Sequence, residues 1–324
     1  MNLFRAASKP PLLSVVMPVH NTSRFLVSSI ESILRQSFLD FEFIIVDDFS
    51  SDGSLEIISE YAQKDPRIKV IQNEKHLGAQ RTRNIGCSHV QAKYIAVFDS
   101  DDIARESRFE AQLKYLSEHP ELILLGTFAS IIDPFGNPIA ENITLPCSHE
   151  EIDNQLILGG WPIIHPSVIM QTDAFNKVGG YTEGWGSQHD HDLFLRLAEI
   201  GRLENLPENH LYYRIHLNNM SFKHLKHKAK FPGCKFQGIK PAIEAAAIRR
   251  KIMLPSREEI NAKKRNNVKP KNLKYLQLKW ALREFSLGIK GSSLQVLLGI
   301  VFLMREYASA TKKFLKSKTK GSKI

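Results

Sequence analysis

Short apolar runs alternate with helical periodicity over the first 130 residues of the chain. Apolar runs that end in polar residues predict buried strands at 14–19, 41–47, 68–71 and 94–99. Apolar positions spaced for one helix face predict helices over 22–37, from the SSDGS segment at 50–54 onwards, and over 79–90. This alternation predicts an α/β fold with a central, mostly parallel mixed sheet flanked by helices.

The pattern becomes less regular after residue 130 and changes again near residue 220. Before that point it predicts a short helix near Glu150–Leu158, a strand at 167–170 and a helix at Asp190–Glu199. After it, helical patterns alternate with lysine-rich stretches. We therefore predict a front domain over 1–220 and a basic helical extension over 221–324.

Charge divides the chain at the same place. Residues 221–324 carry 26 Lys and Arg against 5 Asp and Glu, whereas residues 1–220 carry 18 against 29. The apolar run 294–304 in the extension is too short to span a bilayer, and lysine-rich stretches flank it. This arrangement predicts attachment to an anionic membrane surface. A helical subdomain packed on the front domain is the alternative. Nucleic acid is not an expected partner, because no nucleic-acid-binding signature accompanies the charge.

Several features predict a cytoplasmic protein, peripheral on the inner face of the cell membrane. The N-terminal segment lacks the apolar region and cleavage site of a signal peptide. The three cysteines are an odd number without metal-type spacing, which indicates a reducing compartment where each is a small buried hydrophobe. No apolar run approaches the length of a membrane span.

Two groups of carboxylates follow predicted strands, at the strand ends where ligands of such sheets bind. Asp47 and Asp48 follow the second strand, and one of them could simply cap the next helix. Asp99, Asp101 and Asp102 crowd around Ser100 after the strand at 94–99. Crowded carboxylates repel each other unless a cation or hydrogen bonds compensate, and oxygen ligands suit Mg²⁺ or Mn²⁺. The alternative is a solvated acidic turn.

The segment NEKHLGAQRTRNIG at 73–86 lies between these groups. It combines Arg81 and Arg83, whose planar donors recognise phosphate, with Gly78 and Gly86, where a backbone could approach a ligand closely. The sequence contains neither a Gly-x-Gly-x-x-Gly dinucleotide fingerprint after the first strand nor a phosphate-binding P-loop.

Taken in order, these segments resemble the family-2 inverting glycosyltransferases, which have the GT-A fold. The resemblance rests on SVVMPVHN, IIVDDFSSDGS, LGAQRTRNIG and YIAVFDSDDI, and continues through HPSVIM, VGGY, HDHDLFLRLAEIG and LYYRIHLNNMS. It covers about residues 14–221. The ordered set of motifs is far more specific than any one of them.

The resemblance implies roles for individual residues. The positions that would bind the nucleotide-sugar donor are Pro18, Val19, His20, Asp47, Asp48, Gly78, Arg83, Asp99, Ser100 and Asp101. A divalent cation, Mn²⁺ or Mg²⁺, would be held by Asp99 and Asp101. His216 is a further candidate ligand, with an ordinary surface or core histidine as the alternative.

Asp190 matches the catalytic base in a segment that usually reads Glu-Asp-x-Asp-Leu. Here His189 replaces the glutamate and His191 is the variable residue. Inverting transfer needs a carboxylate to take the acceptor's proton, although Asp190 could instead be a plain helix N-cap. Shared metal coordination by all four residues 189–192 is not expected, since neighbours on a helix point in different directions. Trp161, His165 and His189 are candidates for binding the acceptor, with core packing as the alternative for Trp161.

The expected reaction moves a sugar, a hexose or N-acetylhexosamine, from a UDP-sugar to a hydroxyl with inversion. The expected acceptor is a saccharide or lipid-linked saccharide, in the synthesis of surface polysaccharide or lipopolysaccharide. One alternative is a nucleotidyltransferase that makes sugar nucleotides, but its glycine-rich loop is missing near the N-terminus. The other is a non-catalytic nucleotide-sugar-binding protein.

Overall fold

The computed structural model describes residues 10–183, 188–216, 219 and 240–251. The chain forms two compact units, of which the first comprises Met1–Ile132, Ala140–Arg214 and Phe236–Ser256. The second comprises Asp133–Ile139, Ile215–Lys235 and Arg257–Ile324. In the second unit, Asp133 Oδ1 accepts the backbone N–H of Phe135 (2.8 Å) and of Asn137 (2.9 Å), which closes a tight turn.

The first part of the first unit alternates strands and helices, as predicted. Its strands are β1 (Leu13–Val19), β2 (Phe41–Asp47), β3 (Ile68–Gln72) and β4 (Tyr94–Val97). Its helices are α1 (Ser23–Leu34), α2 (Ser54–Lys64) and α3 (Ala79–Ser88). β1 pairs in parallel with β2 and with β4, and β3 pairs in parallel with β2.

The remaining elements complete a mixed sheet. The strands are β5 (Ile103–Ala104), β6 (Leu122–Ile132), β7 (Pro138–Ile143), β8 (Ile169–Gln171) and β9 (Arg202–Arg214). The helices are α4 (Arg108–Glu118), α5 (His149–Ile157), α6 (Thr172–Lys177), α7 (His189–Leu197) and α8 (Lys240–Arg250). The strand order is β3-β2-β1-β4-β8-β6-β9-β5, with β7 paired to β6. β8 runs antiparallel to both of its neighbours, whereas most other pairs are parallel, so the sheet is mixed. The predicted α/β fold class is confirmed.

Two predicted strands are shorter than expected. The strand expected over 94–99 ends two residues early, because the amide of Asp102 donates to the carbonyl of Asp99 (3.2 Å) and turns the chain. The strand expected over 167–170 begins only at Ile169, after a short 3₁₀ turn. The first difference matters for function, since the turn carries the acidic cluster.

The sheet has an apolar core on each face. In β1, Val15 and Met17 belong to one buried cluster, which includes residues of α1 and α4. Val16 belongs to the other cluster, which includes residues of α5 and α7. Alternate residues of a strand point to opposite faces, so β1 is covered on both sides. Fully burying one such side chain contributes about 1.5–3 kcal/mol, and the strand ends are thereby held firmly.

Gly86 lets α3 approach the sheet closely. A Cβ added at Gly86 would lie 2.5 Å from Val16 Cγ1 and 3.1 Å from Val46 Cγ2. The sequence suggested that Gly86 leaves room for a ligand. In the structure, the side chains of Val16 in β1 and Val46 in β2 fill this space instead.

Helix α8 belongs to the first unit although it lies beyond the predicted domain boundary. Ala242 and Ala246 are buried in the same cluster as residues of α5 and α7. Arg250 donates to the carbonyl of Leu195 (2.8 Å) and to Asp153 Oδ1 (2.7 Å). The division at residue 220 stays a prediction, but this helix packs on the front domain.

Among the described residues, no helix combines the length and apolar character that crossing a bilayer requires. Cys87 is buried, as expected, whereas Cys147 is partly exposed. Cys234 and the segment 294–304 lie outside the described residues.

Candidate functional site

The carboxyl ends of β1, β2 and β4 meet at one edge of the sheet, because the three strands run in parallel. Val19 pairs with Asp47 in the register of β1 and β2. The amide of Asp48 donates to the carbonyl of Val19 (2.8 Å), and His20 Nδ1 lies 2.8 Å from the carbonyl of Asp48. The side chain of Val19 is buried while Pro18 and His20 are partly exposed. The predicted nucleoside-binding residues are therefore neighbours in space.

Asp48 holds the segment that leads into α3. Its Oδ1 accepts the amide of Leu77 (2.8 Å) and the side chain of Asn73 (2.8 Å). Its Oδ2 accepts the amide of Gly78 (2.8 Å) and lies 2.9 Å from His76 Nδ1. Burial raises the pKa of Asp48, but these hydrogen bonds outweigh it and the pKa lies below its ordinary value. Asp48 is thus an ionised, fixed carboxylate.

The expectation that Asp47 or Asp48 caps the following helix is wrong. The N-cap of α2 is Gly53, and the carboxylate of Asp52 just before it accepts the amide of Ser54 (3.1 Å), the first residue of the helix. Asp52 also accepts the amide of Ser23 (2.9 Å) at the start of α1. Asp47 is fully buried, and its Oδ1 has no hydrogen-bond partner within the described residues.

The acidic cluster consists of Asp99, Asp101 and Asp102, each of which offers a carboxylate oxygen within 4.8 Å of the others. Burial raises the pKa of Asp99, partly offset by Arg83, and Asp101 raises it further. Burial and both neighbouring carboxylates raise the pKa of Asp102 well above its ordinary value. The charged forms of Asp99 and Asp102 are thus disfavoured, and a bound divalent cation would favour them.

The turn that carries the cluster is held from both sides. Asp102 Oδ1 accepts the amide of Arg214 (2.7 Å), and Arg214 Nε donates to the carbonyl of Asp101 (2.7 Å). Asp102 Oδ2 is buried without a partner among the described residues. Thr22 Oγ1 donates to the hydroxyl of Ser100 (3.0 Å), so this buried serine links the turn to the residue before α1.

Arg83 connects the acidic cluster with α7. It is buried, with 5% of its surface exposed. Its Nη2 donates to Asp99 Oδ1 (2.6 Å), and its Nη1 donates to His189 Nε2 (2.8 Å). A nitrogen that accepts from a guanidinium has no proton, so His189 is neutral and carries its proton on Nδ1. The histidine that replaces the expected glutamate therefore accepts a hydrogen bond from an arginine.

Asp190 lies in the first turn of α7, whose N-cap is Gln188. The plain N-cap interpretation is therefore wrong. Burial raises the pKa of Asp190 to about 6, although the hydrogen bond from the amide of His191 (2.8 Å) and the charge of Arg83 oppose the rise. A carboxylate with this pKa is ionised at neutral pH and is a stronger base than an ordinary aspartate.

The side chains of His189, His191 and Asp192 contact different partners. His189 faces Arg83, and His191 Nε2 lies 3.0 Å from the carbonyl of Leu156. Asp192 forms an ion pair with Arg196 (2.8 Å) one turn further along α7.

The three candidate acceptor-binding residues lie in different surroundings. Trp161 is 51% exposed, and its ring meets His191 edge-on at 5.4 Å, so the core-packing alternative is wrong. His165 is buried, its Nε2 lies 2.8 Å from the hydroxyl of Tyr181, and its ring lies 5.6 Å from that of His189. Burial lowers the pKa of His165 well below its ordinary value. The acceptor-binding roles stay predictions.

His216 is buried and belongs to the second unit. Its amide donates to the side chain of Asn219. Its role as a metal ligand stays a prediction, as do the ligand-binding roles of Gly78, Ser100 and the other donor-site residues.

Three residues that shape the site were missed by sequence reasoning. His76 lies in a loop, and nothing in the local pattern links it to its partner. Tyr181 and Arg214 do occur in the segments VGGY and LYYRI, so their place in those segments was a usable signal.

The sequence profile described as Glycosyl transferase family 2 matches residues 14–179. An uncharacterized glycosyltransferase of Methanocaldococcus jannaschii is 36% identical over 208 residues, which cover 63% of this chain and 71% of that protein. Chondroitin synthase of Escherichia coli is 29% identical over 218 residues, which cover 66% of this chain and 30% of the synthase.

Solved structures share the fold. The structure of S. aureus TarS 1-349 in complex with UDP-GlcNAc superposes with a TM-score of 0.55 at 17% identity, covering 92% of this chain and 72% of that one. Mannosyltransferase PcManGT from Pyrobaculum calidifontis, in complex with GDP-Man and Mn²⁺, gives 0.53 at 16% identity, covering 97% and 84%. The sequence match and these folds agree: the chain belongs to glycosyltransferase family 2 and has the GT-A fold.

Proposed function

We propose that this glycosyltransferase moves a sugar from a nucleotide-sugar donor to an acceptor hydroxyl with inversion and requires a divalent cation. The observation that carries the proposal is the position of Arg83. It donates to Asp99 of the acidic cluster and to His189, the neighbour of Asp190. One buried residue thus joins the groups that would hold the diphosphate with the group that would take the proton.

The acidic cluster fits a divalent cation. Asp99, Asp101 and Asp102 offer oxygens within 4.8 Å of one another, and one buried oxygen of Asp102 lacks a partner among the described residues. Oxygen ligands suit Mn²⁺ or Mg²⁺. When bound, the cation stabilises the negative charge of the departing nucleoside diphosphate.

Asp190 is the proposed base. Its carboxylate accepts the proton of the acceptor hydroxyl as that oxygen forms a bond to the anomeric carbon. The bond from the anomeric carbon to the diphosphate oxygen breaks on the opposite face, and the electron pair leaves with the nucleoside diphosphate. One displacement of this kind inverts the configuration. The pKa of about 6 supports the assignment, since the base is ionised at neutral pH.

The proposed donor is a UDP-hexose or a UDP-N-acetylhexosamine. UDP-GlcNAc is bound by the structural neighbour TarS, although PcManGT binds GDP-Man. In this chain Asp48 offers an ionised carboxylate beside His20 and Gly78, where a nucleobase N–H would find an acceptor. Pro18, Val19 and Asp47 complete the proposed nucleoside site at the ends of β1 and β2.

The proposed acceptor is a saccharide or lipid-linked saccharide of a surface polysaccharide. Chondroitin and hyaluronan synthases are among the relatives. The exposed ring of Trp161 offers an apolar face for a sugar, beside the helix of Asp190. We further propose that the chain works in the cytoplasm, with its basic extension on the inner face of the membrane.

A thermal-shift screen of nucleotide sugars, with and without Mn²⁺, tests the donor. A ligand that prefers the folded protein raises its melting temperature, so a true donor should do so only when Mn²⁺ is present. Release of nucleoside diphosphate on adding saccharide acceptors then tests transfer. Stabilisation by a donor without any such release across acceptors would favour a non-catalytic binding protein.

A further inference from the structure

A second group of possible metal ligands lies at the same edge of the sheet as the acidic cluster, but its chemistry differs. His20, Asp48 and His76 each offer one ligand atom, and these atoms lie within 4.8 Å of one another. His20 follows β1, Asp48 follows β2, and His76 lies just before α3. The hydrogen bonds from Leu77 and Gly78 to Asp48 bring His76 to this position.

The proton position on His20 can be inferred from its partner. Its Nδ1 lies 2.8 Å from the carbonyl of Asp48, and a carbonyl can only accept. Nδ1 therefore carries the proton, and Nε2 presents its lone pair. The side-chain amide of Asn21, 3.3 Å from Nε2, agrees with this assignment. Histidines that bind metals are commonly held in this way, with the other ring nitrogen donating to a carbonyl.

Asp48 is already arranged as a ligand. Its carboxylate is ionised and is fixed by two backbone amides and the side chain of Asn73. Hydrogen bonds to a ligating carboxylate orient it and are typical of metal sites. These three donors use three lone pairs of the carboxylate. Oδ2, which accepts only one of them, is the oxygen that lies next to His76.

His76 completes the group and leaves it open to solvent. Its Nδ1 lies 2.9 Å from Asp48 Oδ2, and 54% of its side chain is exposed. Its ring stacks on that of His20, with centroids 4.0 Å apart and planes inclined by 28°. Because the side chain of His76 is half-exposed, a metal ion can reach the group from solvent, and the ring can turn to direct its lone pair at the ion.

We propose that His20, Asp48 and His76 form a zinc-binding site, distinct in chemistry from the oxygen-only acidic cluster. Two imidazole nitrogens and one carboxylate oxygen are a ligand set that Zn²⁺ prefers, with a fourth position left for water. Mn²⁺ and Mg²⁺ prefer oxygen ligands and belong at Asp99, Asp101 and Asp102. The two sites thus have ligands that suit different cations.

The consequence is competition with the donor. His20 and Asp48 are also residues of the proposed nucleoside site, so Zn²⁺ and the nucleoside cannot occupy them together. Zinc would therefore inhibit donor binding without displacing Mn²⁺ from the acidic cluster. This consequence rests on the proposed function, whereas the zinc site itself does not.

The test measures zinc binding by the untagged full chain, with no nucleotide present, in calorimetric titrations at neutral pH. His76→Ala and His20→Ala should each weaken one Zn²⁺ site by about tenfold or more, since each removes a direct ligand. His119→Ala is the matched control, because His119 also pairs with a carboxylate, Glu121 at 3.5 Å, on the surface. It should leave the titration unchanged, and Asp101→Asn should lose Mn²⁺ but keep this Zn²⁺ site.

Identical zinc titrations for wild type, His76→Ala and His20→Ala would overturn the proposal. His76→Gln provides a second variant with a side chain closer in size, and thermal melting checks that each variant is folded. Co²⁺ offers an independent readout, since a site with nitrogen ligands gives visible absorption bands that His76→Ala should abolish. Adding UDP then tests the competition between zinc and the nucleoside. If UDP leaves zinc binding unchanged, the metal site stands, but the nucleoside does not bind at His20 and Asp48 as proposed.

Discussion

Arg83 shows how one side chain can organise a site made of distant segments. It lies on α3, and its two terminal nitrogens reach Asp99 after β4 and His189 at the start of α7. Guanidinium donors have a fixed planar geometry, so they set the distance between the two groups they contact. The substitution of histidine for the usual glutamate removes a negative charge beside this arginine, which leaves Asp99 as its closest carboxylate.

Asp190 should determine the acidic limb of the pH profile. Its pKa of about 6 means that the base gains its charge as the pH rises through that value. We expect the turnover rate to rise with pH through about 6 and then to level off. Asp190→Asn cannot accept the proton, so transfer should fall by two or more orders of magnitude, about what general-base catalysis supplies. Steady-state rates measured across the pH range test both statements.

The control for this prediction is Asp173→Asn, an exposed aspartate in the first turn of α6. It should keep the wild-type rate and pH profile. Donor binding should survive in Asp190→Asn, which separates a lost base from a lost fold. Near-normal turnover of Asp190→Asn would show that the base lies elsewhere.

Asp101 should control the dependence of donor binding on metal. Asp101→Ala removes one oxygen ligand from the acidic cluster and leaves the diphosphate facing uncompensated carboxylates. We expect the affinity for UDP in the presence of Mn²⁺ to fall to the value measured without metal. Calorimetry with UDP, with and without Mn²⁺, measures this change. Glu121→Gln, at an exposed surface position, should behave as wild type, and an unchanged metal dependence in Asp101→Ala would mean that the cluster is only a turn.

At the scale of the elements, the sequence predicted the strands and helices of the first hundred residues well. β2 was predicted with its observed bounds because all seven of its residues are buried and turn residues follow it. α4 and β6 were not predicted. The apolar run of β6 pairs with β9, which is about 80 residues further along the chain, and no local pattern reveals that partner.

The sequence predicted which residues form the candidate site, but it did not predict the hydrogen bonds between them. The ends of parallel strands had to meet, so the neighbourhood of His20, Asp48 and Asp99 followed from the fold class. The partners of Asp48 could not be predicted, because Leu77 and Gly78 reach it only through the path of an irregular loop. The pKa of Asp190 depends on burial and on the charge of Arg83, neither of which a sequence pattern contains.

Gly86 provides a test of the packing between α3 and the sheet. Replacing a glycine by alanine inside a helix ordinarily stabilises it by about 1 kcal/mol. Here the new methyl group would lie 2.5 Å from Val16 Cγ1, in a core that cannot move aside easily. Gly86→Ala should therefore lower the free energy of unfolding by about 1–3 kcal/mol, the usual cost of overpacking.

Chemical denaturation measures this difference, and Ser88→Ala, at an exposed position of the same helix, is the control. Ser88→Ala should leave the stability nearly unchanged or raise it slightly. A stabilised Gly86→Ala protein would show that α3 does not approach the sheet as closely as the structure shows.

At the scale of the whole molecule, the basic extension predicts binding to anionic membranes. Each Lys or Arg near such a surface contributes about 1 kcal/mol, which salt screens, while buried apolar side chains contribute independently of salt. The protein should sediment with anionic vesicles, be released only partly by high salt, and bind neutral vesicles much less. A variant with five lysines changed to glutamine should bind anionic vesicles more weakly; the positions are Lys312, Lys313, Lys316, Lys318 and Lys320.

Donor binding by the five-lysine variant is the control for this experiment and should equal that of wild type. Equal sedimentation of the wild-type protein with neutral and anionic vesicles would contradict an electrostatic anchor. The extension would then serve as a packed part of the enzyme, as α8 already does.

The docking of α8 has a consequence for how the protein is made. Ala242, Ala246 and Arg250 complete the face of α5 and α7, yet they are synthesised well after β9, the last strand of the sheet. A chain still emerging from the ribosome has every other element of the first unit before it has this one. The apolar face therefore stays uncovered until α8 leaves the ribosome, and folding of the catalytic unit can finish only after translation has passed Arg250. A ribosome that stalls between β9 and α8 would display an exposed apolar surface, which is the state that chaperones recognise.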